Sequence, residues 1–264
     1  MVVDTLNNEI NNVTQWSNKN NLSLNIDKTK FMVVRKKLNT IDVNSHMGIW
    51  VDGVKIEQVQ EFKYLGVIID EHLTFSKHAS YVTRKIAQKV NALGRVRKTL
   101  SKWSKVLIYK TIIVPHLNYC PTILFLLNNS EIATMQKRQN QALRIILDTN
   151  RYANINAMLD SLGILSVRQF IYFNTVIFVF KMIRGLMPKH LLDNCMTVDN
   201  VHDHFTRNAN NFYIRPVRRT FDQKDLFHRE LKLYNELPNH IKDCENLKTF
   251  KTYSFKHIKD TNLE

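Results

Sequence analysis

The period at which apolar residues recur changes along this chain, and each change marks an element. Leu6, Ile10, Val13 and Trp16 return at steps of three and four, which predicts a helix over 5–21 that the Asn-rich run at 17–21 ends. The stretch "LSLNIDKTKFMVV" reads as a turn followed by a strand at Lys30–Arg35, and 36–47 is polar and loop-like. In "GIWVDGVKIEQV" two β-rich runs are joined by Asp52-Gly53, a hairpin signal because both turn positions need positive φ. A further strand is expected at Tyr64–Ile69.

Past Thr74 the apolar period lengthens to that of a helix. Val82, Ile86, Val90, Leu93, Val96 and Leu100 make one stripe, and Arg84, Gln88, Asn91, Arg95, Lys98 and Lys102 fall on the opposite side. Helices are also predicted at Lys105–Ile113, stopped near Pro115, at Glu131–Leu147 and at Val167–Arg184, closed by Gly185 and Pro188. A polar, irregular segment with the basic knot "IRPVRRT" occupies 194–223, and helices at Asp225–Glu236 and Leu247–Ile258 end the chain. Strands come early and helices late, which makes the fold class α+β.

Composition sharpens the reading. At 264 residues, 44% apolar, with six Gly and five Pro, the chain can build one large domain or two modest ones. Its formal charge of +15 favours a polyanionic partner, nucleic acid or an anionic membrane surface. From His72 to Ser130 there are ten Lys and Arg and no Asp or Glu. Solvated helix faces usually mix signs to form i,i+4 pairs, whereas a one-signed face suits neutralisation of phosphates. The apolar window Ile171–Ile183 is too short for a membrane span, no secretory leader is expected at the N-terminus, and no membrane partner is expected. Three widely spaced cysteines imply no disulfide framework and fit an intracellular setting, nuclear or cytoplasmic.

Catalytic signatures are scarce. The chain has no Asp-Asp dipeptide, no phosphate-cradling Gly-rich loop and no G-x-S-x-G elbow. His116/Cys120 and His240/Cys244 have the i,i+4 spacing of paired zinc ligands, and His202 and His204 lie near Cys195. Without a C-x-x-C, core cysteines and surface histidines are the better reading, and no metal site is expected. Tyr109, Tyr119, Phe125, Tyr172, Phe173, Phe178 and Phe180 could stack on bases, but at helical spacing among Ile and Leu they read as core.

Two motifs carry a resemblance. Leu22 to Thr29, "LSLNIDKT", and Phe62 to Phe75, "FKYLGVIIDEHLTF", resemble the reverse transcriptases of non-LTR (LINE-type, jockey-like) retrotransposons. In that family L-x-L-N-x-x-K-T closes the palm, and the second motif is the primer-grip hairpin at the palm–thumb junction. Weaker echoes run to the C-terminus, with Tyr234-Asn235 where the family usually has Trp-Asn. The resemblance implies a residual palm edge and antiparallel primer-grip hairpin at 1–75, a helical thumb at 76–150 and a C-terminal helical domain at 151–264.

It also implies roles. Phe62, Tyr64, Leu65 and Gly66 would form the primer grip, and the basic face, with Arg84, Lys85, Lys89, Arg95, Lys98 and Lys102, would bind template–primer. The family's aromatic-x-Asp-Asp hairpin lies upstream of "LSLNIDKT", so a truncated reading frame without polymerase activity is expected. Mg²⁺ would serve only a complete polymerase, and Lys28 could act as general acid only there. RNA, RNA–DNA duplex and the missing polymerase and endonuclease parts of the parent element are the expected partners. Two alternatives stay open: a stand-alone basic nucleic-acid-binding helical module, and a structural protein that partners acidic proteins.

Overall fold

The computed structural model describes residues 2–35, 48–193, 195–200, 211–216 and 226–261. The polar loop expected at 36–47, His202, His204 and most of the basic segment at 194–223 lie outside the described residues. The chain divides into two compact units, 1–78 and 79–264.

The first unit opens with α1 (Val2–Lys19), which has Asp4 in its first turn and Lys19 in its last, both favourable to the helix dipole. Its apolar stripe is not its buried one. Leu6, Val13 and Trp16 are exposed, whereas Thr14 and Ser17 are buried. Hydrogen bonding selects the inward face: the Asn7 amide donates to Gly48 O (3.1 Å) and accepts from Trp50 N (3.0 Å), and Thr14 Oγ1 returns to Ile10 O (2.9 Å).

A 3-10 turn at Ile26–Lys28 leads into β1 (Lys30–Phe31), much shorter than the strand expected to run to Arg35. The hairpin signal at Asp52-Gly53 is borne out: β2 (Trp50–Val51) pairs antiparallel with β3 (Val54–Lys55), with φ of 48° and 78° at the turn. β4 (Glu57–Gln58) pairs parallel with β1, so the sheet region is not antiparallel throughout. These strands belong to distant segments joined by no tight turn, which is the situation parallel pairing needs. Ile49, Val51 and Ile56 form a small core that Ile10, Leu24, Ile26 and Phe31 partly cover.

The single strand that the apolar run suggests over Tyr64–Ile69 is instead an antiparallel hairpin, as the resemblance implies for this motif, with β5 (Glu61–Tyr64) against β6 (Val67–Asp70). Leu65 (φ 44°) and Gly66 (φ 88°) form its turn. Periodicity misses this break because Leu65 is apolar, yet the positive φ at Gly66 costs a glycine nothing.

The second unit is helical. α2 (Ser76–Arg95) buries Val82, Ile86, Val90 and Leu93 as the stripe predicts, and Ala79 as well, but ends at Arg95, so Val96 is exposed beyond it. Ser101 then caps α3 (Lys102–Ile108). The helix expected to stop near Pro115 instead passes through a π-turn at Tyr109–Ile113 into α4 (Val114–Asn118). A widened turn accommodates the proline's missing N–H and bulky ring, which a regular helix interior would not. The short α5 (Pro121–Leu124) follows.

Two capping boxes start the longest of the remaining helices. Asn128 with Glu131 opens α6 (Asn129–Leu147), and Ser166 with Gln169 opens α8 (Val167–Ile183). Between them α7 (Ile155–Leu162), which the apolar pattern does not reveal, starts at Asn154 and ends at Gly163 with φ 61°. α8 is apolar on nearly every side and is buried along its length, with Val167, Val176, Val179 and Phe180 essentially inaccessible. It packs against α9 (Leu226–Asn235) and α11 (Leu247–Asp260); α10 (Asn239–Lys242) lies between these two in sequence. Phe180 stacks on Phe250 with ring centroids 4.0 Å apart. Among the described residues no single helix is long and apolar enough to cross a membrane; α7 and α8 pass that test only together, bent by 47°.

Candidate nucleic-acid interface

The residues of "LSLNIDKT" organise a turn. Asn25 Oδ1 accepts from Lys28 N (3.0 Å), and Thr29 Oγ1 donates to Asn25 O (2.8 Å). Asn and Thr at this spacing close a 3-10 turn because short polar side chains can replace the missing backbone partners. Lys28 itself is exposed.

The second motif is organised by Asp70. Its carboxylate accepts from His72 N (3.1 Å), Thr74 N (3.1 Å), Thr74 Oγ1 (3.1 Å) and Phe75 N (2.7 Å), gathering the amides that precede α2. Partial burial acts to raise its pKa, but the bonds from Thr74, Phe75 and His72 outweigh it and hold the carboxyl below its ordinary value. Those bonds also hold Leu73 (φ 50°) and Phe75 (φ 56°) in a backbone region that bulky residues avoid. At the hairpin Tyr64 and Leu65 are well exposed (59% and 73%) and Phe62 less so, giving an unusually apolar strand edge and tip.

Along α2 the expected basic residues are all at the surface. Arg84, Lys89 and Arg95 are exposed and Lys85 is half-buried. Among the described residues none of these four is ion-paired with a carboxylate. Lys98 and Lys102 are exposed too, but lie beyond the end of α2, on the following turn and at the start of α3. The six therefore do not share one helix face. On α4 the pKa of His116 is lowered by burial first and then by the charges of Lys89 and Lys85.

Two of the ten cations are otherwise engaged. Lys77 is paired with Glu61. Lys105 is buried and reaches Asp148 at 2.6 Å, where Asp148 ends α6 in the left-handed conformation. Arg184 and Arg229, elsewhere in the unit, donate to the carbonyls of Cys244 and Phe125 over the rings of Phe180 and Phe125.

α6 supplies residues that periodicity along one helix cannot find. α2 and α6 run side by side in the same direction, and Gln141 Nε2 donates to Asn91 Oδ1 (3.4 Å) between them. Their N-terminal halves border a groove of about 350 Å³ lined by Ala79, Ser80, Thr83, Arg84, Glu131 and Arg138, among others. Glu131 is turned to its capping box, accepting from Asn128 N at 2.9 Å. The C-terminal halves border a larger groove, about 630 Å³, where Arg95 and Arg97 face Gln141, Arg144 and Thr149. Arg97, Arg138 and Arg144 are the basic residues that the helical-wheel argument misses. The signal for Arg138 and Arg144 is that α6 carries Lys137, Arg138 and Arg144 against the single acid Glu131.

Among the described residues no three His, Cys, Asp or Glu side chains come together to hold an ion. Cys244 Sγ donates to His240 O (3.7 Å), and His240 meets the edge of the Tyr253 ring, so this pair is part of the local packing. Tyr109 is buried, its hydroxyl accepting from Gln139 Nε2 at 2.8 Å, and burial pushes its pKa up to about 12 despite that bond.

Comparison with known proteins identifies sequences similar to part of this chain. The probable RNA-directed DNA polymerase from transposon X-element of Drosophila melanogaster is 31% identical over 136 residues, covering 50% of this chain and 14% of that protein. Over about half its length, this chain is similar in sequence to transposon RNA-directed DNA polymerases. The enzyme from mobile element jockey of Drosophila funebris is 30% identical over 146 residues, 54% of this chain and 15% of that protein. The type-1 retrotransposable element R1 2 Pol polyprotein of Nasonia vitripennis is 27% identical over 119 residues, 44% of this chain and 29% of its own length. The chain thus spans less than a third of each of these proteins, and about a seventh of the first two. No family model and no solved structure matches it.

Proposed function

We propose that the chain is the thumb-side portion of a retrotransposon RNA-directed DNA polymerase and that it holds template–primer nucleic acid through phosphate contacts. The observation that carries this is the α2 surface, where Arg84, Lys85, Lys89 and Arg95 have no carboxylate partner among the described residues. A one-signed surface of this kind gains by releasing counterions from a nucleic-acid backbone. On this reading the exposed apolar tip of Tyr64-Leu65-Gly66, with Phe62, is the primer grip, held at the start of α2 by the Asp70 turn.

Mg²⁺ is the cofactor of a complete polymerase, where it stabilises the attacking and leaving oxygens. The carboxylates of this chain do not fit that chemistry, since the sequence has no Asp-Asp pair and no cluster of three potential ligands forms among the described residues. The chain alone is therefore expected to extend no primer. Lys28 is exposed beside the turn that Asn25 closes, and a general-acid role for it belongs to the complete enzyme only.

The test is binding of blunt RNA–DNA duplex as a function of salt. Affinity should fall steeply between about 50 and 200 mM salt. Replacing Arg84, Arg95, Lys98 and Lys102 by Glu should weaken binding on every sequence and flatten the slope of log K against log salt by roughly three to four. A quadruple variant that binds as tightly as the parent, with the same slope, rules out this surface.

A further inference from the structure

The larger groove has a feature that duplex binding does not use. Beyond its α6 wall the chain turns through residues 148–153, and there Tyr152 is among the most exposed large side chains, at 77%. The ring is nevertheless held. Tyr152 N donates to Asn150 Oδ1 (2.9 Å), and the Arg151 guanidinium lies over the ring at 4.8 Å. Arg144, which lines the groove, donates through Nη2 to Arg151 O (3.2 Å) and so ties this loop to the groove wall. Its Nε–H is buried with no acceptor among the described residues. Asp148, which adjoins groove-lining Thr149, is neutralised by Lys105.

We infer that this groove and Tyr152 form a binding site for a single-stranded nucleotide, with the phosphate against Arg95, Arg97 and Arg144 and the base stacked on the Tyr152 ring. The inference rests on the phosphate-binding reading above and extends it from duplex to single strand. The groove and the ring belong together, since Arg144 both lines the groove and holds the loop that carries Tyr152. In a duplex only the end pairs have an open face, whereas every unpaired base can be splayed onto a ring, and an aromatic ring beside arginines is the combination that single-strand binders use. An exposed Tyr ring costs little to order here, since the Asn150 and Arg144 bonds already fix its loop.

The test uses the whole chain and measures its affinity for a blunt RNA–DNA duplex and for the same duplex with a short single-stranded overhang, made once as RNA and once as DNA. The parent should prefer at least one overhang substrate. Tyr152→Ala should abolish that preference, a loss of roughly five- to a hundredfold for one stacked base, and leave blunt-duplex affinity and salt slope unchanged. Tyr152→Phe should keep the preference, because the ring and not the hydroxyl carries it. Arg97→Glu should weaken overhang binding more than blunt binding. Equal affinity of the parent for blunt and overhang substrates overturns the site while leaving the duplex reading intact. Overhang binding that persists when blunt duplex does not bind upholds the site and removes the duplex reading. A proportional loss on both substrates in Tyr152→Ala, or displacement of the overhang by polyglutamate as readily as by oligonucleotide, also overturns it.

Discussion

The two units are built on different physics. In 79–264 the helices close on a deep apolar core in which Val176, Val179, Phe180, Phe250 and Ile258 are essentially inaccessible. Among the described residues of 1–78 the buried apolar side chains are only Ile49, Val51, Ile56 and Val67, and Leu6, Val13 and Trp16 of α1 are exposed. Side-chain hydrogen bonds hold the turns of that unit: Asn7 at β2, Asn25 at the 3-10 turn and Asp70 before α2. The unit with the recognisable motifs is thus the one with the smaller core, and its motif residues are largely turn-makers. Short ladders bury little surface, so turn chemistry must specify what packing cannot.

The largest test of this contrast removes a ring from the helical core. Phe250→Ala deletes one member of the Phe180 stack and should cost about 3–5 kcal/mol, read as a fall in the urea midpoint of the helical signal. Hydrogen exchange at His72, Thr74 and Phe75 should not change. If those amides lose protection as well, the units are one cooperative body and the contrast fails.

The reciprocal change is Asp70→Ala. It leaves the amides of His72, Thr74 and Phe75 without their acceptor and should cost about 2 kcal/mol locally. Faster exchange at those three amides, with the helical urea midpoint unmoved, is the expected result. Asp70→Asn, which keeps one acceptor oxygen, should lose about half as much.

Within the helical unit, Asp148→Ala strands the buried Lys105 ammonium and should destabilise by about 1–2 kcal/mol, a modest figure because Asp148 is 65% exposed. Lys105→Met should be tolerated better than Asp148→Ala. Since Lys105 is committed to this pair, Lys105→Met should also leave nucleic-acid affinity unchanged, which separates it from Arg84 and Arg95.

The smallest effect is with pH. His78 is buried, accepts from Ile68 N through Nδ1 at 3.4 Å, and burial lowers its pKa below the ordinary 6.5. The unfolded chain therefore binds the proton first, and the stability carried by neutral His78 is present above about pH 6.5 and lost as pH falls through the lowered value. Asp70, also lowered, adds a second loss below its ordinary 3.8. Exchange at the amides of Ile68 and Thr74 should report the two steps in that order, and His78→Gln should remove the first.

Much of this molecule is legible from residue order alone. The stripe from Val82 to Leu93, the caps at Asn128 and Ser166, and the turn at Asp52-Gly53 follow from local rules, because each depends on neighbours within a few residues. The one-signed stretch from His72 to Ser130 is likewise visible before any folding. What only the tertiary structure decided is which groups meet. It turned the Thr14 side of α1 inward against its apolar pattern and withdrew Lys105 to Asp148. It also set Arg95 and Arg97 opposite Arg144, more than forty positions along the chain. Such pairings follow from helix packing and from the need to satisfy buried polar groups, neither of which has a fixed sequence spacing.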